Sequence, residues 1–507
     1  MMANIQMKQG IPLADLITIS DAALAKLYVT GLALDSREVV AGDLFLACKG
    51  FAVDGRNYIA QAVERGAVAV LADQDELYCV NTHCDNVPVI VVKDLAMQLS
   101  AIAGKFYGQP SAKISLIGVT GTNGKTSCTQ LIAQLLDQIE QPCGVIGTLG
   151  IGVAGEVEQV MNTTPDALTI QKILSQWQQQ NILAAAMEVS SHGLEQGRVA
   201  ALQFDVALFT NLSRDHLDYH GTMQAYAEAK AKLFKQAGLN KVVVNGDDSF
   251  ADTLAGVVAD DVDLLRYSIG SEADVWIDNI SYHSKGVSAR MHSPWGSFDL
   301  ASPLLGRFNL SNVVAALTSL GALGYSMAEL VAALPNVSTI EGRMQRIDSA
   351  ADIGVIVDYA HTPDALEKAL EAVSQHTEGN VWCVFGCGGD RDQGKRPQMG
   401  EVAQRYADHV VVTSDNPRNE NASEIINQIL GGIDCPAAVE EDRAAAIEFA
   451  VMNAKPGDSV LLAGKGHEDY QLVAGKRLPF SDITQARLAL AKRMSGPAGE
   501  ESVEVTS

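Results

Sequence analysis

The sequence predicts an α/β protein of three domains, with a central P-loop-type ATPase domain on a mostly parallel sheet. Three observations carry that prediction. Short apolar runs alternate with stretches of helical period through the middle of the chain, the pattern of a parallel sheet with helices on both faces. At 507 residues the chain holds about three domains of roughly 100–200 residues each. In the last third, four apolar runs each open directly into a polar loop containing glycine or proline. Hydrophobic residues make up 47% of the chain, enough to fill several cores.

Taken in order, residues 1–110 read as a small α/β domain: strands at 43–47, 67–71 and 87–92, with a helix at 58–65. Residues 104–111, with two glycines and a proline, read as a linker. A central domain spans 111–345. Its first strand, 114–120, runs into a glycine-rich turn and then a helix with Cys128, Leu131, Ile132, Leu135, Leu136 and Ile139 on one face. Further strands are expected at 183–189, 206–210 and 241–244. The third domain, 346–495, is expected to be Rossmann-like, with strands at 354–357, 381–385, 409–413 and 459–462. Ligands of open α/β sheets bind beyond the carboxyl ends of strands, so the four loops there should converge on one site. The acidic tail 496–507 reads as disordered.

Composition excludes several classes. A formal charge of −24 argues against nucleic-acid binding, which needs a basic surface. There is no apolar signal core at the start and no apolar run of about 18 residues, so a cytoplasmic protein away from membranes is expected. Eight cysteines (48, 79, 84, 128, 143, 383, 387, 435) show no zinc spacing and read as reduced core residues.

The run Gly121-Thr122-Asn123-Gly124-Lys125-Thr126, followed by Ser127, is a short phosphate loop. Val119 stands where the general pattern wants its first glycine, and Gly121 takes over that role. Backbone N–H groups and the helix start face an anion, Lys125 adds charge, and the Thr126 hydroxyl can hold Mg²⁺. Glu188 ends a buried strand, where a carboxylate suits Mg²⁺ or caps the next turn. Asp215-His216-Leu217-Asp218 lies after another strand and suits a metal or phosphate role. Lys230 and Lys232 share one helical stretch, and residue type alone does not choose between them. In the third domain Arg391 and Arg418 can grip carboxylates in bidentate fashion, while Asp415 and Glu468 can accept from an ammonium. That combination suits a zwitterionic amino acid with an additional carboxylate.

The phosphate loop, Asp215-His216-Leu217-Asp218 and Asp358-Tyr359-Ala360-His361-Thr362-Pro363 together resemble the Mur ligases, ATP-dependent enzymes that lengthen the peptidoglycan precursor peptide. Asp35-Ser36-Arg37, Asn162-Thr163-Thr164, Tyr219-His220-Gly221 and Asp415-Asn416-Pro417-Arg418 are similar to the branch that adds meso-diaminopimelate. The resemblance implies an amide ligase joining meso-diaminopimelate to the D-Glu of UDP-N-acetylmuramoyl-L-Ala-D-Glu through an acyl phosphate. It implies ATP as co-substrate, Mg²⁺ held by Thr126, Glu188, His216 and Lys230, and a carbamate on Lys230 formed from CO₂. Asn309, Arg343 and Asp358 would contact the nucleotide, with Lys125, Lys230, Arg343 and His361 as the catalytic group. Leu34, Ser36, Phe51, Ala52, Val53, Asn162, Thr163, Thr164, Ser190, Gln196 and Arg198 would contact the UDP-muramoyl-dipeptide. Arg391, Asp415, Asn416, Pro417, Arg418, Gly464 and Glu468 would bind diaminopimelate. A monomer is expected. The rival ligases are a lysine-adding member and a folylpolyglutamate synthetase, the latter disfavoured by the Ser36, Ser190 and Asp415–Arg418 segments.

Overall fold

The computed structural model describes residues 10–50, 53–74, 83–153, 156–158, 160, 162–283, 286–435 and 437–495. Phe51, Ala52, Cys79 and the tail 496–507 lie outside the described residues.

Three sheets organise the chain. The first has five strands in the order Gly31–Ala33, Asp43–Ala47, Ala69–Asp73, Val87–Val92 and His83–Cys84, parallel except for the last pair. Asp43–Ala47 is wholly buried, which is why it reads as an unbroken apolar run after Asp43. The helix expected at 58–65 is a 3₁₀ turn, Gly55–Tyr58, followed by an α-helix, Ile59–Glu64. The expected linker 104–111 begins inside a helix, Leu95–Phe106. Gly104 is buried there because a Cβ would stand 3.1 Å from both Gln109 Oε1 and Gln171 Nε2. It is a packing glycine, not a break.

The second sheet has eleven strands. Its parallel heart runs Cys143–Gly147, Ala184–Glu188, Ser115–Thr120, Val206–Phe209, Lys241–Asn245, Asp263–Ser268 and Val275–His283. Antiparallel strands extend both ends: Gly150–Val153 and Glu156–Glu158 on one side, Gly286–Ser293 and Gly296–Ser302 on the other. Within Ser115–Thr120, Leu116 packs into the core on one face while Ile117 and Val119 enter the other. Helices Lys125–Gln138 and Arg307–Ala322 cover the second face and Ala167–Gln179 the first.

The third sheet has six strands in the order Gln345–Arg346, Gly354–Asp358, Ser459–Ala463, Val381–Phe385, His409–Val412 and Ala438–Val439, all parallel beyond the first pair. Its four central strands therefore end along one edge. The Gly306–Ala372 approach, where a Cβ on Gly306 would meet Ala372 Cβ at 2.4 Å, brings helix Pro363–Gln375 against the start of Arg307–Ala322. The third sheet thereby stands beside the phosphate loop. Among the described residues, no helix is long and apolar enough to cross a membrane. Cysteines 128, 143, 383 and 387 are buried and free as expected, but Cys435 is exposed.

Candidate active site

The phosphate loop follows from local backbone constraints. Gly121 and Gly124 have φ of +150° and +88°, and a Cβ on Gly121 would lie 1.9 Å from Thr210 Oγ1. Only glycine fits there. Thr122 Oγ1 donates to Ser213 O (3.2 Å) and accepts from Ser213 N (3.0 Å), while Asn123 N donates to Asn211 Oδ1 (2.9 Å). Lys125 Nζ donates to Gly121 O and Thr122 O, both at 2.9 Å. Burial pushes its ammonium below its ordinary value, against the pull of Glu188 and Asp215.

Lys230 decides the choice left open by the sequence. It is 1% exposed and its Nζ donates to Gly121 O at 2.7 Å, lying 4.3 Å from the Tyr226 ring centroid. Burial, and then the nearby Lys125 charge, lower its pKa well below that of an ordinary lysine. Lys232 instead points outward and pairs with Glu195 at 2.6 Å.

A cleft of about 810 Å³ opens at the carboxyl end of the central sheet. Thr122, Asn123, Gly124, Lys125, Thr126 and Ser127 line it, together with Glu188, His216, Lys230, Arg343, Asp358 and His361. Glu188 is buried and accepts from Thr148 N (2.7 Å) and Thr148 Oγ1 (3.2 Å). His216 lies in a ring cluster with His192 (5.0 Å) and Tyr226 (6.0 Å), and burial lowers its pKa. Arg343 reaches Thr126 Oγ1 at 3.5 Å and lies 4.5 Å from the Tyr359 ring, its Nε buried without a partner. Asp358 accepts from Met344 N (2.7 Å) and Ala360 N (2.8 Å), and burial raises its pKa. His361 Nδ1 bonds Tyr359 O at 2.8 Å, and burial lowers its pKa. Asn309 is 2% exposed and donates to Leu305 O, outside the lining of the cleft.

Five of the expected muramoyl-dipeptide contacts, Asn162, Thr163, Thr164, Ser190 and Arg198, line the same cleft. Thr164 Oγ1 donates to Glu188 O (2.8 Å) and accepts from Ser190 N (2.9 Å), tying them to the Glu188 strand. Gln196 orients Arg198, accepting from its Nη2 at 2.6 Å. Leu34, Ser36 and Val53 lie in loops between the strands of the first sheet and do not line the cleft. Ser36 Oγ donates to Gln61 Oε1 (2.6 Å), and Val53 is 58% exposed.

The four loops of the third sheet divide between the large cleft and a neighbouring cluster, and Gly464 N, donating to Asp358 O at 3.1 Å, joins the two. The Asp358 loop lines the large cleft, whereas Arg391, Asp415, Asn416, Pro417, Arg418, Gly464 and Glu468 do not. Gly354–Asp358 pairs directly with Ser459–Ala463, so the Asp358 loop also abuts the Gly464 loop, and a Cβ on Gly466 would lie 2.7 Å from Tyr359 Cβ. The other three loops form a second cluster. Arg418 Nη1 donates to Gly389 O (2.8 Å), Gly389 N to Asn416 O (2.9 Å), and Asn416 Nδ2 to Glu468 Oε2 (2.8 Å). The Arg391 and Arg418 side chains flank Gly388, and the Tyr359–His467 ring contact at 5.3 Å joins this cluster to the cleft. Buried Lys465 and Arg396 were not assigned from the sequence. Lys465 was signalled only by its place between two glycines at a strand end.

Three family models match most of the chain: Mur ligase family, catalytic domain at residues 28–107, Mur ligase middle domain at 119–320, and Mur ligase, glutamate ligase domain at 342–466. The chain belongs to the Mur ligase family. It is 52% identical over 463 residues to the UDP-N-acetylmuramoyl-L-alanyl-D-glutamate–2,6-diaminopimelate ligase of Pseudomonas syringae pv. tomato, covering 91% of this chain and 94% of that one. The ligase of that name from Pseudomonas aeruginosa is 52% identical over 468 residues, covering 92% and 96%. A solved structure of a ligase of the same name superposes with a TM-score of 0.71 at 37% identity, over 95% of this chain and 99% of that one. As a Mur ligase, this chain is an ATP-dependent ligase acting on small molecules.

Proposed function

We propose that this Mur ligase adds meso-2,6-diaminopimelate to the D-Glu of UDP-N-acetylmuramoyl-L-Ala-D-Glu, in the making of the peptidoglycan precursor. The observation that carries the reading is the single cleft in which the phosphate loop and Lys230 meet Asn162, Thr163, Thr164, Ser190 and Arg198, with the arginine–acid cluster next to it. In this reading the first sheet (1–110) takes the uridine nucleotide through Leu34, Ser36, Phe51, Ala52 and Val53. The central domain (111–345) takes ATP, and the third (346–495) takes the amino acid.

A free carboxylate is a poor acyl donor. ATP converts the D-Glu carboxylate to an acyl phosphate with release of ADP. The diaminopimelate amine attacks that carbonyl, gives up a proton, and the tetrahedral intermediate collapses with loss of phosphate. Lys125 and Arg343 face the charge of the transferred phosphoryl group, so positioning and electrostatics supply most of the acceleration. Asn309 and Asp358 would hold the nucleotide, and His361, its Nδ1 fixed on Tyr359 O, would orient groups at the acyl phosphate.

Thr126, Glu188, His216 and a carbamylated Lys230 would hold Mg²⁺, which supplies neutralisation of phosphate charge when bound. Hydroxyl and carboxylate oxygens suit a cation that keeps few protein ligands and shares the phosphate oxygens. The depressed pKa of buried Lys230 favours the neutral amine, the form that reacts with CO₂ to give an anionic carbamate and a proton.

Lysine lacks the distal carboxylate of diaminopimelate, so it would leave Arg418 an unpaired cation in a closing site. A site built on such a pair rejects the analogue lacking it by about 10⁴-fold. The test is phosphate release with ATP, the UDP-dipeptide and diaminopimelate, with lysine and glutamate as competitors. Diaminopimelate alone should support turnover, and Arg418→Ala should raise its KM while that of ATP stays unchanged. Equal kinetics with lysine would sink the assignment.

A further inference from the structure

The turn after strand Ser459–Ala463 sends a lysine into the protein interior. Gly464 has φ +113° and Gly466 φ +53°. A Cβ on Gly464 would lie 2.7 Å from Asp415 Oδ2, and one on Gly466 2.7 Å from Tyr359 Cβ and 2.8 Å from Gly342 O. Neither position takes a side chain, so the residue between them is driven inward. The Lys465 side chain is 0% exposed, against 8% for Asp415 and 14% for Glu468. Its Nζ lies 3.5 Å from Asp415 Oδ1 and donates to Asn416 Oδ1 and Glu468 Oε2, both at 3.2 Å. Asn416 Nδ2 closes the ring onto Glu468 Oε2 at 2.8 Å. The ammonium is thus the floor of the cluster and the two carboxylates stand above it, nearer to solvent.

A buried ammonium is costly unless its charge is compensated. Two other buried cations of this region have partners of their own: Arg396 is engaged by Glu420, Gln428 and Gly388 O, and Arg443 by Asp482 and the carbonyls of Ser414 and Ala463. Lys465 therefore takes its compensation from Asp415 and Glu468. Burial and the neighbouring Asp415 push the Glu468 carboxyl up, and Lys465 opposes both. Lys465 meets both acids with one charge, so the pair keeps negative charge to offer an ammonium group.

We propose that Lys465 is a positioning residue for amino-acid recognition: a buried counter-cation that holds Asp415, Asn416 and Glu468 in place, their oxygens presented to the substrate's ammonium. This rests on the assignment of the cluster to the amino-acid substrate, and no step of the reaction's covalent chemistry is routed through Lys465.

The test compares wild type, Lys465→Met and Lys465→Arg in the phosphate-release assay. The Met variant should raise the KM for diaminopimelate about tenfold or more. Its kcat at saturating diaminopimelate, and its KM for ATP and the UDP-dipeptide, should stay near wild type. The Arg variant, which keeps the cation, should recover most of the loss. Unchanged diaminopimelate KM in the Met variant, or a parallel rise for all three substrates, overturns the proposal. A wild type that does not use diaminopimelate overturns instead the reading on which it rests. A second measurement needs no variant: reductive methylation of the wild type, read by mass spectrometry. Lys465 should stay unmodified with and without diaminopimelate. Methylation of Lys465 once diaminopimelate is added would mean that the substrate displaces the lysine, and would overturn its role as a fixed floor.

Discussion

Asp482→Asn should destabilise the third sheet while leaving its shape intact. Arg443 Nε donates to Asp482 Oδ1 and Nη2 to Oδ2, both at 2.7 Å, and neither side chain is exposed to solvent. The asparagine is nearly isosteric, so the change removes the charge and turns one of the two acceptors of Arg443 into a donor. Removing one partner of a buried ion pair leaves the other charge uncompensated, a cost of about 3–5 kcal/mol. For a unit of about 150 residues, at roughly 2–4 °C per kcal/mol, the corresponding transition falls by about 6–20 °C. Scanning calorimetry of the full chain reads that shift. Urea unfolding followed by Trp382 fluorescence gives a second readout, because Trp382 packs in the same core as Ala486 and Leu490. Replacing both partners, Arg443→Met with Asp482→Leu, should recover most of the loss, since the cost lies in the orphaned charge and not in the missing pair. A single variant within about 1 kcal/mol of wild type, or a double variant as unstable as the single one, would refute this account. Arg443 also holds Ser414 O (3.3 Å) and Ala463 O (2.8 Å), the residues just before Asp415 and Gly464. Weaker diaminopimelate binding should therefore accompany the lost stability.

Two further outcomes are expected. Lys230→Ala should lower kcat by about 100-fold or more, and a short carboxylic acid such as acetate should restore part of it; no rescue, with nucleotide binding intact, would count against the carbamate. Glu420 is held down to about 2, from 4.5, by its hydrogen bonds from Arg396 and from Asp390 N. A depressed carboxylate stabilises the fold above its unfolded value and loses that contribution as pH falls through the folded one. The stability gap between wild type and Glu420→Gln should therefore be full above about pH 4.5 and shrink toward pH 2, and a gap constant over that window in acid melts would exclude the ion pair as its source.

How far the sequence carried depended on whether the deciding physics was local. Ser115–Thr120 and Ala184–Glu188 were legible because strands buried on both faces of a parallel sheet must be apolar throughout. The antiparallel strands Gly286–Ser293 and Gly296–Ser302 carry mixed, half-exposed patterns and gave no comparable signal. The phosphate loop was legible because turn, cradle and helix start are contiguous. Lys230 and Lys232 were not separable, since a two-residue offset on a helix decides burial only once its neighbours are known. The largest gap lies in the buried cations. Arg396 binds Gly388 O just before its helix and, farther along the chain, Glu420 and Gln428, and Arg443 binds Asp482 from a different helix. Charged residues in a sequence read by default as solvated surface. The loops around Asp415 and Gly464 are bonded from beneath by Lys465 and Arg443, residues whose type argues for the outside. Gly104 follows the same logic with a different residue. A glycine a few residues before a Gln-Pro pair reads as a break, yet Gly104 lies inside the helix, where Gln109 and Gln171 approach it closely.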